Sequence, residues 1–166
     1  MKIHSRPLNE SDFLQMRKVL LREGPNEWNY ITDESIEQQF QLIRDAKARA
    51  ILAEDDEISG FAILIFKEAC PSHLTQYSAL SSMAYINDVV VSMAHSGKGI
   101  GSALLNMAIE CAQKEQCEKV YIERHEENLA SAGMMRKAGF HVINTVYDPN
   151  KRTTGSRKTS LLVKGT

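Results

Sequence analysis

The chain has 166 residues, and 20 Lys and Arg against 21 Asp and Glu leave a formal net charge of −1. That balance excludes a strongly basic nucleic-acid binder, though not a local basic patch. A content of 43% hydrophobic and 25% charged residues is that of a soluble globular protein, and the length suits one domain over residues 1–166. No apolar run approaches the ~20 residues of a membrane span, and Met1 to Pro7 lacks the apolar core of a secretory signal. Cys70, Cys111 and Cys117 are odd in number and lack CxxC spacing. They read as reduced thiols in a cytoplasmic protein, with no metal site.

Residues 2–7 alternate weakly and predict a short first strand. Asn9 to Asp12 offers N-cap side chains for a helix running to about Gly24, with Phe13, Met16 and Leu20 on its buried face. Gly24-Pro25 ends it. A polar loop with Trp28 and Tyr30 follows, and Thr32-Asp33-Glu34 opens a second helix carrying Ile36, Phe40 and Ile43 at helical spacing. Strands are predicted over 49–54 and 58–67, with Asp55-Asp56-Glu57 as the turn between them. Glu68 to Ser82 reads as a long loop, a length that is often functional. Tyr85 to Val91 predicts a strand, and its Val89-Val90-Val91 run suits burial on both faces. Ile100, Leu104, Leu105, Ala108, Ile109 and Ala112 then form one helical stripe. A strand from Val120 to Glu123 or His125, a helix from Asn128 to Ala138, and strands over 140–147 and 159–163 complete the chain. This order is a mixed α/β sheet, with parallel pairing possible only across the helical crossovers.

The most informative segment joins the Val run to the long helix. Gly97, Gly99 and Gly101 alternate there. Glycine permits unusual dihedrals and close approach of a ligand to the backbone. The first N–H groups of a helix lack intrahelical partners, and the dipole is positive at that end. Strand, glycine turn and helix start together suit a phosphate or pyrophosphate. Nucleotide motifs fail on spacing. A P-loop needs Ser or Thr directly after Gly-Lys, where Gly99 follows Lys98, and a dinucleotide GxGxxG needs glycine where Ser102 or Leu104 stands.

Ser96-Gly97-Lys98-Gly99-Ile100-Gly101 resembles the acetyl-CoA signature of the GNAT superfamily of N-acetyltransferases: Arg or Gln, two residues, Gly, one residue, then Gly or Ala. Gly99 and Gly101 match, and Ser96 stands where Arg or Gln is usual. Downstream, Asn128, Gly139 and Phe140 fall at the family's Asn, eleven-later Gly and twelve-later Phe. The element order is similar across essentially the whole chain. The resemblance implies a central sheet of about seven mostly antiparallel strands flanked by about four helices. It also implies acetyl-CoA as co-substrate, and a primary amine, on a small molecule or a protein N-terminus, as acceptor. GNAT proteins often pair, so a homodimer is one implied assembly.

The same resemblance assigns positions. The backbone of Val89, Val90 and Val91 would bond the pantetheine arm like an added strand. The loop amides of Ser96, Gly97, Lys98, Gly99, Ile100 and Gly101, with Ser102, would hold the pyrophosphate. Asn128 would contact the pantetheine end, and position 135 would sit by the sulfur. Many members place Tyr there as general acid, whereas this chain has Met135, which has no proton to give. Tyr147 is the candidate replacement acid.

Attack by an amine needs a neutral nitrogen and hence a base. Glu123 is the first candidate. It lies five residues before Asn128, in an arrangement that resembles ribosomal-protein N-acetyltransferases, where that Glu is the base. Asp88 is the rival, since an acid beside an apolar run needs either a role or a structural hydrogen bond. Glu126 and Glu127 either make the acceptor mouth acidic or form a solvated turn, and His125 reads as an exposed histidine. Trp28 and Tyr30 would wall the acceptor, or else pack their loop onto the body. Two further readings are a non-catalytic acyl-CoA binding module, which Met135 favours, and a phosphate binder that uses the glycine loop differently.

Overall fold

The computed structural model describes residues 1–26, 28 and 31–166. Its elements run β1 (Lys2–His4), α1 (Glu10–Glu23), α2 (Asp33–Arg44), β2 (Ala48–Glu54), β3 (Ile58–Phe66), β4 (Met83–Val91), α3 (Ile100–Lys114), β5 (Lys119–His125), α4 (Leu129–Lys137), β6 (His141–Tyr147) and β7 (Lys158–Gly165). The strands form one seven-stranded sheet in the order β1-β2-β3-β4-β5-β7-β6. Every pairing is antiparallel except β4 with β5, which α3 joins as a crossover.

The local chemistry explains the helix starts. Asn9 Oδ1 accepts from Asp12 N at 2.9 Å while Asp12 Oδ2 accepts from Asn9 N at 2.8 Å, a reciprocal capping box. Thr32 and Ser35 do the same for α2. The two helix pairs then cover opposite sheet faces. Phe13, Met16 and Leu20 of α1 and Ile36 and Phe40 of α2 pack with Phe61, Tyr85 and Tyr121. Leu104, Leu105 and Ala108 of α3 and Met135 of α4 pack with Ile86, Val120 and Ile122. Successive β5 residues therefore point to opposite faces, as a pleated strand requires.

Three expectations need correction. The first strand ends at His4 rather than residue 7, because Pro7 has no N–H and Arg6 turns to bond Asp12 and Glu54. Residues 68–82 do not form an open loop. Short 3-10 turns at Lys67–Ala69, Ser72–Gln76 and Leu80–Ser82 satisfy that backbone locally. Finally, the Val run is not buried on both faces: Val90 is buried, but Val89 and Val91 are half-buried, because β5 has left their side.

Candidate active site

The pairing of β4 with β5 runs from Met83 opposite Lys119 to Ile86 opposite Ile122 and then stops. On its other side β4 stays paired with β3 as far as Val91. Asn87 to Val91 thus offer backbone groups toward a gap in the middle of the sheet. The register with β3 shifts between Ala62 and Ile63, and Asp88 is the extra residue, at φ 37°. A bulge with a non-glycine residue at positive φ bends the strand and re-aims its side chains.

The gap opens into a cleft. Its middle is a cavity of about 110 Å³ lined by Tyr85 to Val90 of β4, Glu123 and Arg124 of β5, Asn128 at the start of α4, Ser131, Met134 and Met135 of α4, and Lys151 and Arg152. Val89, Ser131 and Met134 are shared with a groove of about 420 Å³ that runs along Ser96, Gly97, Gly99, Gly101 and Ser102. Asn87, Asp88, Lys151 and Arg152 are shared with a recess of about 280 Å³ on the opposite side. Groove, middle and recess are contiguous.

The groove is an anion cradle built by glycine. Gly97 and Gly99 both sit at φ 76°, a left-handed geometry that glycine adopts at no steric cost, and a Cβ on Gly97 would meet nothing within 4 Å. Gly99 precedes the first turn of α3, whose amides face outward. Lys137 Nζ lies 3.9 Å from the position of a Gly99 Cβ. It adds a cation beside the loop that the sequence pattern did not single out. Gly101 has a different reason: Met134 Sδ occupies the space a Cβ would need, so glycine here lets α3 and α4 approach closely. Asn128 caps α4, its Oδ1 accepting from Ser131 N at 3.2 Å, while the residue lines the middle of the cleft. Met135 is 4% exposed yet also reaches the cleft wall.

Glu123 sits at the floor with its side chain only 8% exposed. The Tyr85 hydroxyl donates to Glu123 Oε1 at 2.9 Å. His73 Nε2 lies 3.4 Å and Lys151 Nζ 3.5 Å from the same oxygen. Burial and the adjacent Glu123 carboxylate push the Tyr85 phenol well above its usual pKa, so it stays a proton donor. Asp88 accepts from Gln39 Nε2 at 2.6 Å. Burial pushes its carboxyl up, and the Gln39 bond and the Lys151 charge act against that rise. Glu123 and Asp88 therefore flank the point where middle and recess meet.

The remaining sequence candidates lie elsewhere. Tyr147 is 64% exposed on β6, the outermost strand, and lines none of the three spaces. It is not placed to serve as an acid there. Trp28 packs its ring on His125, with centroids 4.9 Å apart, rather than walling the recess. Tyr30 lies outside the described residues. His125 corrects the expectation of exposure. It is 1% exposed, because Nδ1 accepts from Glu127 N at 3.0 Å, which leaves Nε2 to donate to Thr154 O at 2.8 Å. The acidic mouth is likewise not what lines the cleft. Glu127 binds the Ser156 amide, Glu126 lies outside the three spaces, and the cations Lys151 and Arg152 line them instead.

Tyr85, Lys151, Arg152, His73 and Gln39 were missed in the sequence. Tyr85 and Glu123 share a sheet face, but only the β4–β5 register reveals it. The Lys-Arg pair sits in a turn whose composition looks merely solvated. Among the described residues, no group of three or more His, Cys, Asp or Glu side chains could hold a metal ion.

A sequence model of the acetyltransferase (GNAT) family matches residues 13–140. The chain belongs to this family. An uncharacterized N-acetyltransferase of Bacillus subtilis, YobR, is 28% identical over 75 residues, covering 45% of this chain and 30% of that protein. Streptothricin acetyltransferase of Streptomyces lavendulae is 29% identical over 98 residues, 58% of this chain and 46% of that one. The chain thus spans less than half the length of these curated relatives. The ribosomal-protein-S18-alanine N-acetyltransferase of Escherichia coli superposes with a TM-score of 0.75 at 13% identity, over 99% of this chain and 94% of that one. That likeness is one of fold, which in this chain is a mostly antiparallel seven-stranded sheet flanked by four helices.

Proposed function

We propose that this GNAT protein is an acetyl-CoA-dependent N-acetyltransferase that moves an acetyl group to a primary amine by direct attack in a ternary complex. One observation carries the reading. Where β4 and β5 part, the Glu123–Tyr85 pair lies between an anion-binding groove and a separate polar recess. A donor entering along the groove and an acceptor entering from the recess would meet over that pair.

The groove's features fit the donor. Backbone at Asn87 to Val91, left without a β5 partner, suits an extended pantetheine arm, and the Ser96–Gly101 amides with Ser102, Lys98 and Lys137 suit a pyrophosphate. Asn128 and Met135 flank the reacting end. Glu123 takes the proton as the amine nitrogen forms its bond to the acetyl carbon. Tyr85 orients the carboxylate, and Asp88 bounds the acceptor side. An N–H of the Asn87–Val91 stretch faces the developing oxyanion. The carbon–sulfur bond then breaks, and the thiolate takes a proton from solvent. Holding both substrates together removes the need for a covalent intermediate. The acceptor is an amine on a small molecule or a protein N-terminus. Three free, buried cysteines suit a reducing cytoplasm.

Met135 favours a second reading, a non-catalytic acyl-CoA binding module. Calorimetric titration with acetyl-CoA, with ATP and NAD as controls, tests the donor site. Amine-dependent release of CoA then separates the enzyme from the module. Binding of ATP or NAD but not acetyl-CoA would overturn both.

A further inference from the structure

The recess is lined by more positive charge than an acceptor known only as an amine requires. Asp88, Lys151 and Arg152 all line it. Lys151 is 45% exposed and reaches back to Glu123 Oε1 at 3.5 Å. Arg152 is 4% exposed, with Nε donating to Thr159 Oγ1 at 2.9 Å and Nη1 to Trp28 O at 3.4 Å. A polycationic acceptor would bring its ammonium groups up to these two cations, one of them buried, and meet repulsion there. An acceptor with opposite charges at its two ends meets neither problem. Its ammonium group faces Asp88 and Glu123, and its anionic group faces Lys151. A recess of about 280 Å³ is below the usual size of a drug-sized site and suits a compact molecule.

The geometry adds a mechanistic link. Lys151 is the solvent-reaching member of this group, a half-exposed side chain on a turn between β6 and β7. While it rests on Glu123 it shares Oε1 with the Tyr85 hydroxyl and His73. A substrate anion in the recess draws the ammonium away and leaves one cation fewer against that carboxylate.

Building on the proposed acetyl transfer, we infer that the acceptor is a small amine that also carries an anionic oxygen group, and that Lys151 is the specificity residue that receives this group. A free amino acid supplies a carboxylate, and an aminoalkyl phosphonate supplies the same chemistry from another source.

The test uses the full chain with acetyl-CoA and reads CoA release. The acceptors are the twenty free L-amino acids, their carboxamides, 2-aminoethylphosphonate and spermidine. At least one anionic acceptor is expected to exceed its neutral counterpart by tenfold or more in kcat/KM. Preference for the phosphonate over every amino acid identifies the anion source and supports the inference. In Lys151→Gln, kcat/KM for the anionic acceptor falls at least tenfold, chiefly through KM, and the acid-to-amide ratio shrinks to within twofold. Equal use of acid and amide, preference for spermidine, or an equal loss on both in Lys151→Gln overturns the inference while acetyl transfer stands. Acetyl-CoA binding without turnover of any anionic acceptor also overturns it. Failure to bind acetyl-CoA instead removes the transfer reading beneath it.

Discussion

Replacing Glu123 with Gln isolates the base from everything else at the floor of the cleft. Gln has nearly the same volume, and its carbonyl oxygen still accepts the Tyr85 hydroxyl that now reaches Glu123 at 2.9 Å. The ion pair lost is with Lys151, 3.5 Å away and 45% exposed, and pairs so exposed contribute at most about 1 kcal/mol. For a chain of 166 residues that is a fall in Tm of roughly 2–4 °C. Acetyl-CoA binding should be unchanged, since the groove lies on the other side of β4. Loss of a positioned general base costs about 10²- to 10⁴-fold, or roughly 3–5 kcal/mol of barrier. The expected signature is therefore a large fall in kcat with a small thermal shift and an unaltered calorimetric affinity. The deficit should shrink at high pH, where more of the amine is already neutral. Turnover within twofold of the parent would refute the assignment and move the base to Asp88 or water.

Gly99→Trp should leave a folded protein but weaken acetyl-CoA binding by tenfold or more in calorimetry. The open space around Gly99 limits the folding cost to about 1–2 kcal/mol of left-handed strain. Arg6 bonds both Asp12 and Glu54 and holds both carboxyls below their usual pKa. Their depressed values mean the stabilisation is complete above about pH 5 and drains away as pH falls through and below about 4. Arg6→Met should cost roughly 1–3 kcal/mol in urea unfolding at pH 7, and the gap from the parent should narrow as pH falls below about 4. Trp28→Ala removes the ring that covers His125. It should cost about 1 kcal/mol in urea unfolding while leaving acetyl-CoA affinity alone, as paired unfolding and titration would show.

What could be read from the sequence was chemistry confined to neighbouring residues. Asn9 and Thr32 announce their helices because a capping box closes within four residues. The glycine loop is legible for the same reason, with strand, turn and helix start contiguous in the chain. The candidate site is a different matter. The Asp88 bulge exists only because β3 holds its own register against β4. The parting of β4 from β5 follows from pairings across α3. His125 is buried by Trp28 and Thr154, which lie far away in sequence. Tyr85 meets Glu123 over a separation of 38 residues, and the Lys151–Arg152 turn reaches the cleft only because β7 inserts between β5 and β6. Periodicity and composition carry no record of such meetings.

The parting of β4 and β5 also has a mechanical consequence. β1 to β4 form one antiparallel block and β5, β7 and β6 another, and the ladder between them spans only Met83 to Ile86 opposite Lys119 to Ile122. The sheet is stitched in its centre by a short seam and open along the rest of it. A ligand lodged in that opening would touch both blocks and act as a brace across the seam. At a hundredfold excess over its Kd, such a brace adds about 2.7 kcal/mol, roughly 5–10 °C in Tm for a chain of this size. Amide exchange should then slow most at the inner edges of the two blocks, and hardly at all on exposed β6.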